Sequence, residues 1–211
     1  MILTRQELRF YIMADRIMNG LPAKKTLKER IGNIVFAKPP IMAYLKAMRV
    51  VSFSKHQSSL FSKVILIIYR HKYNRLGLKL GFFINEDVCR YGMVVPHYGT
   101  IVIGGNNRIG RYAVFHTVVN MTASNCVVGD GLYLSVGAKV IGPLTLGDNV
   151  TIAANSVVKG SFDNNVLLVG SPAVVKRKDY SPWYERDGER FSSRVKSVEQ
   201  LRIKLGIRDD C

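Results

Sequence analysis

Cysteine is scarce: the 211 residues hold three, Cys89, Cys126 and Cys211, with no CxxC pair and no metal-ligand spacing. That argues against a disulfide framework or a zinc-stapled domain, and scattered thiols of odd number suit a reducing compartment. Acids are few, 15 against 31 Lys and Arg, which leaves a net charge of +16. No apolar run approaches the ~20 residues that a membrane-spanning helix needs; the most apolar stretch covers only residues 64–69. Arg5, Glu7 and Arg9 follow Met1 closely, against a secretory leader, so the expected location is the cytoplasm. GxGxxG and P-loop motifs are both absent, which removes two familiar phosphate cradles.

The positive charge is unevenly placed. Residues 1–80 carry sixteen Lys and Arg against three acids, whereas residues 81–211 carry fifteen against twelve. Such a segment can face an anionic glycan or an anionic membrane surface at the inner face of the membrane, or remain a solvated helical surface. Nucleic acid is not an expected partner, because no binding motif accompanies the charge and the aromatics are not interleaved as stacking platforms. Apolar spacing in this segment predicts helices over residues 2–18, 41–53 and 58–74, separated by Asn19-Gly20 and by a basic stretch ending at Lys38-Pro39-Pro40. The third is the most hydrophobic and is expected to pack on the other helices, the first coil of the following domain or another subunit.

From Ile103 an aliphatic or aromatic residue recurs every sixth position at Ile109 and Phe115, then, after a slip of one residue, at Val128, Leu134, Val140, Leu146, Ile152 and Val158. Four residues after each lies a second slot, mostly small or apolar: Asn107, Ala113, Val119, Leu132, Ala138, Leu144, Val150 and Ser156. Gly or Ala often follows the first slot directly. The pattern reads as three short strands per coil of a solenoid, the first slot filling the interior and the small residue letting the chain bend at the corner. A sandwich of short strands gives no reason for one register to persist over so many hexads. The expected fold is mainly β, a left-handed parallel β-helix over residues 81–173, preceded by a basic α-helical region over 1–80 and followed by a C-terminal extension over 174–211. That extension, with Tyr180, Trp183, Tyr184 and a short helix over residues 197–205, reads as a strut packed back along the solenoid.

The stretch from Pro96-His97-Tyr98-Gly99-Thr100 through His116, Val119-Asn120 and Gly137-Ala138 to Gly170-Ser171-Pro172-Ala173 resembles the hexapeptide-repeat acyltransferases. The likeness is to the serine acetyltransferase branch that includes capsule and polysaccharide O-acetyltransferases, and it covers about half the chain. It implies acetyl-CoA as donor, a hydroxyl as acceptor, a homotrimer with sites shared between chains, and a hexamer where N-terminal helices pair two trimers. It also implies that His97 is the general base. One hexad before Ile103, His97 occupies what the repeat counts as an aliphatic position, and imidazole titrates near neutrality, as removal of a hydroxyl proton requires. His116, one coil plus one residue on, is expected to point outward at a corner, either lining the same groove or touching a neighbouring subunit. Asn120 is a candidate for binding acceptor or thioester.

Along the donor groove the resemblance implies Gly137, Ala138, Ala154 and Asn155 at the pantetheine arm, with Lys159, Lys176 and Lys178 as candidate phosphate partners; small corner residues are demanded by the fold in any case. Pro96 and Phe83 stand where serine acetyltransferases carry aspartates, and no histidine follows His116. Loss of those carboxylates removes a counter-charge for an amino-acid ammonium, so a sugar hydroxyl of a capsule, O-antigen or related envelope glycan is the expected acceptor. Free serine is the alternative acceptor, and a non-catalytic trimeric scaffold is the alternative of another class. Glu86 or Asp87 remains available to orient His97. No metal is expected: a γ-carbonic-anhydrase-type zinc site needs three histidines, and the repeats hold two.

Overall fold

The computed structural model describes residues 1–26, 29, 31–32, 40–122 and 125–209. Lys28, Lys38, Pro39 and Cys211 lie outside the described residues.

The hexads wind as a parallel β-helix of triangular section. One sheet stacks β1 (Phe82–Ile84), β2 (Ile101–Ile103), β5 (Val119–Met121), β8 (Lys139–Val140) and β11 (Val157–Val158). A second stacks β3 (Arg108–Ile109), β6 (Val127–Val128) and β9 (Thr145–Leu146). The third stacks β4 (Val114–Phe115), β7 (Tyr133–Leu134), β10 (Thr151–Ile152) and β12 (Leu167–Gly170), closed by β13 (Ala173–Arg177), which turns back antiparallel on β12. Both slots of the repeat face inward: all the first-slot residues from Ile103 to Val158 are buried, and so are the second-slot Asn107, Ala113, Val119, Leu132, Ala138, Leu144, Val150 and Ser156. Asn107 is the polar exception that keeps its place by pairing, its amide donating to the Gly104 carbonyl at 3.1 Å and its Oδ1 accepting from the Cys126 N–H at 3.0 Å.

The corners explain the small residues. A Cβ placed on Gly110 would lie 2.6 Å from the Gly129 carbonyl group, and one on Gly129 would lie 2.8 Å from the Asp148 nitrogen, so successive coils touch backbone to backbone there.

One detail of register narrows the expected slip between Phe115 and Val128, and another differs from the sequence expectation. Met121 continues the run of inward residues after Phe115 and is fully buried, so the extra residue falls between Met121 and Val128, next to Asn125 with its left-handed φ of 66°. The first coil is longer than the later ones: Cys89 bridges Ile109 and Val94 bridges Val114. Val95, 2 % exposed, therefore fills the interior slot that hexad counting assigned to His97, and His97 is exposed.

Helix α1 (Arg5–Met18) opens on a capping box between Thr4 and Glu7. Helix α2 (Ile41–Lys55) ends two residues later than expected. Helix α3 (Leu60–Leu80) runs well beyond residue 74, because Leu76 and Leu80 continue its packed face, and it stops at Gly81 in the left-handed conformation (φ 77°). These two helices cap the first coil. The Tyr44 and Tyr73 rings stack at 5.0 Å, the Ile84 N–H donates to the Tyr44 hydroxyl at 3.2 Å, and the Tyr73 hydroxyl donates to the Ile84 carbonyl. Burial pushes the Tyr44 phenol up to about 12 and raises that of Tyr73 as well.

The C-terminal extension packs back on the solenoid through α4 (Trp183–Arg186) and α5 (Glu189–Lys204), the latter starting earlier than expected, just after Gly188. A second core joins α1 and α5 to the outer face of the β4 sheet through Phe10, Met18, Tyr91, Tyr112, Trp183 and Val198. One buried ion pair ties the helices to the first coil. Arg49 donates to both Asp15 oxygens (2.8 and 3.2 Å) and to the Cys89 and Arg90 carbonyls, while Asp15 accepts from the Gly92 and Met93 amides.

Candidate active site at a β-helix corner

The corner joining the β4 sheet to the β2 sheet recurs as Pro96-His97-Tyr98-Gly99, His116-Thr117-Val118, Ser135-Val136-Gly137 and Ala153-Ala154-Asn155. Backbone bonds lock the layers: Val118 donates to Thr100 at 2.6 Å, Gly137 to Thr117 at 3.0 Å, and Asn155 to Val136 at 2.9 Å. Val118 takes a left-handed φ of 62°, a conformation that a β-branched residue adopts only when its surroundings impose it.

His97 and His116 sit on the first two layers of this corner. His116 is half-buried, with Nε2 2.8 Å from the Tyr133 hydroxyl and the two rings 5.1 Å apart. Burial holds its pKa below the usual histidine range, the His97 charge pushes it the same way, and Asp187 opposes them. At neutral pH His116 is therefore a neutral imidazole beside an exposed one. Tyr133 is itself raised, first by burial and then by Asp187.

The far wall of the site comes from the C-terminal extension. Trp183 anchors it, donating from Nε1 to the Tyr112 carbonyl at 2.9 Å and packing 6.1 Å from the Tyr133 ring. Beyond that anchor the Arg186 guanidinium lies 4.0 Å from the centre of the Tyr180 ring and donates to Thr151 Oγ1 at 3.2 Å. Its Nε is buried with no partner among the described residues. Between wall and corner runs an open groove of about 320 Å³, bounded by Tyr133, Ser135, Ala153, Ala154, Tyr180, Arg186 and Asp187. A larger hollow, about 440 Å³, lies by Phe162 and Lys178 at the end of the solenoid, and neither His97 nor His116 lines either space.

The other residues proposed from sequence distribute as follows. Asn120 lies on β5, pairing with Lys139 in the next strand, and its Oδ1 accepts from the Thr122 N–H at 3.1 Å, on the neighbouring face rather than in the groove. The amides of Gly137, Ala138 and Asn155 donate within the chain, and Ala138 is fully buried. Ala154 differs: its N–H, like those of Thr117 and Val136 on the same corner, has no hydrogen-bond partner among the described residues. Lys159, Lys176 and Lys178 are exposed near the last coil, with Lys178 beside the larger hollow.

Glu86 and Asp87 do not orient His97. Glu86 is buried against Arg70 (3.0 Å) and Lys55 (3.4 Å), and Asp87 bonds Ser52, Lys55 and His56. Cys89 is no nucleophile, since burial pushes its thiol up to about 12.

Sequence reasoning missed Tyr133, Arg186 and Asp187. Tyr133 stands on the outward position of a hexad, and its size there was a usable signal. Arg186 and Asp187 reach the corner only through the Trp183 anchor, a contact for which no local pattern exists.

No protein-family model matches the chain. Among curated proteins it is 31% identical over 94 residues to a serine acetyltransferase of Staphylococcus xylosus, covering 41% of this chain and 44% of that protein. It is 38% identical over 94 residues to a serine acetyltransferase of Staphylococcus aureus, again covering 41% and 44%. A bifunctional protein GlmU of Psychrobacter is 25% identical over 107 residues, covering 48% and 24%. The chain thus spans less than half the length of these relatives. Among solved structures, the Neisseria gonorrhoeae serine acetyltransferase superposes with a TM-score of 0.51 at 16% identity, covering 86% of this chain and 85% of that one. A serine acetyltransferase solved in complex with CoA gives 0.51 at 19% identity, covering 80% and 84%. The solved structures share this chain's fold, and over less than half of their own length the curated relatives resemble it in the hexad repeats that the hexapeptide-repeat acyltransferases carry.

Proposed function

We propose that the protein is an acetyl-CoA-dependent O-acetyltransferase whose reaction takes place at the His97–His116 corner. The observation that carries this reading is the placement of two histidines on successive layers of one corner, beside a column of backbone N–H groups at Thr117, Val136 and Ala154 that have no partner among the described residues. His97 takes the proton as the acceptor hydroxyl attacks the thioester carbonyl and returns it to the sulfur as the C–S bond breaks and CoA thiol leaves, a role in which a positioned base contributes about 10²–10⁴-fold. The free amides suit the carbonyl and amide groups of a pantetheine arm, and preorganised N–H donors also stabilise a developing oxyanion. His116, bridged to Tyr133, orients the acceptor. In keeping with the fold, the working unit is a trimer, and Lys159, Lys176 and Lys178 serve the nucleotide phosphates.

The acceptor has two readings, each with an observation behind it. Free serine is favoured by the serine acetyltransferase relatives and by Arg186 and Asp187, which bring to the groove the cation and anion that an amino-acid zwitterion needs. These restore the counter-charge that Pro96 and Phe83 leave missing. A sugar hydroxyl of an envelope glycan or its precursor is favoured by the openness of the groove and by the Tyr133 ring on its wall, a flat face suited to a pyranose. Mass spectrometry of products formed from acetyl-CoA with L-serine, and separately with nucleotide sugars and glycosides, decides between them: O-acetylserine alone selects the first, an acetylated sugar alone the second. No acetylated product from any hydroxyl compound, with acetyl-CoA left unbound, would return the protein to the scaffold reading.

A further inference from the structure

One face of α3 is left bare by the fold. Its first half exposes Leu60, Phe61, Val64, Ile67 and Ile68, with Leu60 79 %, Phe61 68 % and Ile67 70 % accessible. This spacing sets them along a single arc of the helix. Met1 and Leu3 extend the patch, because the Gln57 side chain donates to the Leu3 carbonyl at 2.9 Å just before the helix begins. The second half of α3 continues the same face with exposed His71, Lys72, Arg75 and Lys79. No acidic residue occurs anywhere in the helix. The opposite face is fixed by Tyr73, Leu76 and Leu80 in the core and by Gly77 packed under the Phe82 carbonyl, so the bare face cannot rotate inward.

We propose that this face of α3, together with Met1 and Leu3, docks the protein on an anionic lipid bilayer, lying in its interface. The apolar side chains enter the boundary between headgroups and acyl chains, and Lys72, Arg75 and Lys79 take the lipid phosphates. Contiguous exposed apolar surface of this kind marks a contact site in a folded protein. Charge selects the occupant. A two-fold partner would present the same acid-free face and the same cations, whereas an anionic surface neutralises them. No described helix is long and apolar enough to cross a membrane, so the contact is peripheral.

The test is co-sedimentation of the full chain with phosphatidylcholine vesicles, with and without phosphatidylglycerol, at low and high salt. Binding is expected only when phosphatidylglycerol is present, and it weakens as salt rises. The double variants Phe61→Ser/Ile67→Ser and Lys72→Glu/Arg75→Glu should each lower partitioning at least about tenfold. Their thermal midpoints should not move, since the replaced side chains are exposed. Failure of the wild type to bind phosphatidylglycerol vesicles overturns the proposal, as does undiminished binding by both variants. If light scattering without lipid shows that Phe61→Ser/Ile67→Ser halves the assembly mass, the face belongs to a second copy instead. None of these readings depends on acetyl transfer.

Discussion

The ion pair between Asp15 and Arg49 offers the sharpest test of how the helices are joined to the β-helix. Both side chains are 1 % exposed. Replacing Asp15 with Ala strands a guanidinium with two carbonyl partners and no counter-charge, and it also orphans the amides of Gly92 and Met93. Breaking a buried pair from one side costs about 3–5 kcal/mol. For a chain of this length each kcal/mol moves the midpoint about 2–4 °C, so a fall of about 6–20 °C is expected. Differential scanning calorimetry measures it directly. The stranded charge is one part of that cost, so the double variant Asp15→Leu/Arg49→Met should recover that part only, because the Gly92 and Met93 amides and the Cys89 and Arg90 carbonyls stay unpaired. A drop of under about 2 °C in Asp15→Ala, or no recovery in the double variant, would refute the reasoning.

Other expectations follow from the corners and the histidines. Gly129→Ala drives a Cβ into the Asp148 backbone and should cost about 1–3 kcal/mol, read from urea midpoints. Val118→Asn relieves a left-handed strain of about 1–2 kcal/mol and should raise the urea midpoint; a lowered midpoint would show that the corner depends on that valine. The folded pKa of His116 lies below its unfolded value, so its burial favours the fold above the ordinary histidine range and that contribution is lost as pH falls through the folded pKa. His116→Gln should therefore flatten the acid limb of a stability profile, and an unchanged limb would show that another group sets it. Arg186→Ala should weaken acceptor use and leave acetyl-CoA use alone, a split visible in the two Michaelis constants; equal changes in both would mean that it only holds the extension in place.

Most of the β-helix was legible because its signal repeats. From Ile103 to Val158 each coil restates the same inward apolar choice, and a six-residue period has few physical solutions. The signal failed where repetition failed. Val94 and Val95 are adjacent and both apolar, so nothing local says that Val95 turns inward; the bridge from Val94 to Val114 settles it. His97 was thus singled out by a register that does not hold, although its place on the corner with His116 keeps it in the site. The third helix was cut short at residue 74, ahead of Gly77, whereas Leu76 and Leu80 still have a coil to pack on. Arg186 and Asp187 are far in sequence from Tyr133, and only the Trp183 anchor brings them there. Tertiary placement of that kind leaves no periodic trace.

The central claim is that acetyl transfer runs through His97. The most direct measurement is release of CoA thiol from acetyl-CoA, with the acceptor found by product analysis, in wild type and His97→Ala. Loss of a positioned base predicts a fall of about a hundredfold or more, with acetyl-CoA affinity and thermal midpoint unchanged because His97 is exposed and fills no core slot. Turnover within a few-fold of wild type in His97→Ala would contradict the account.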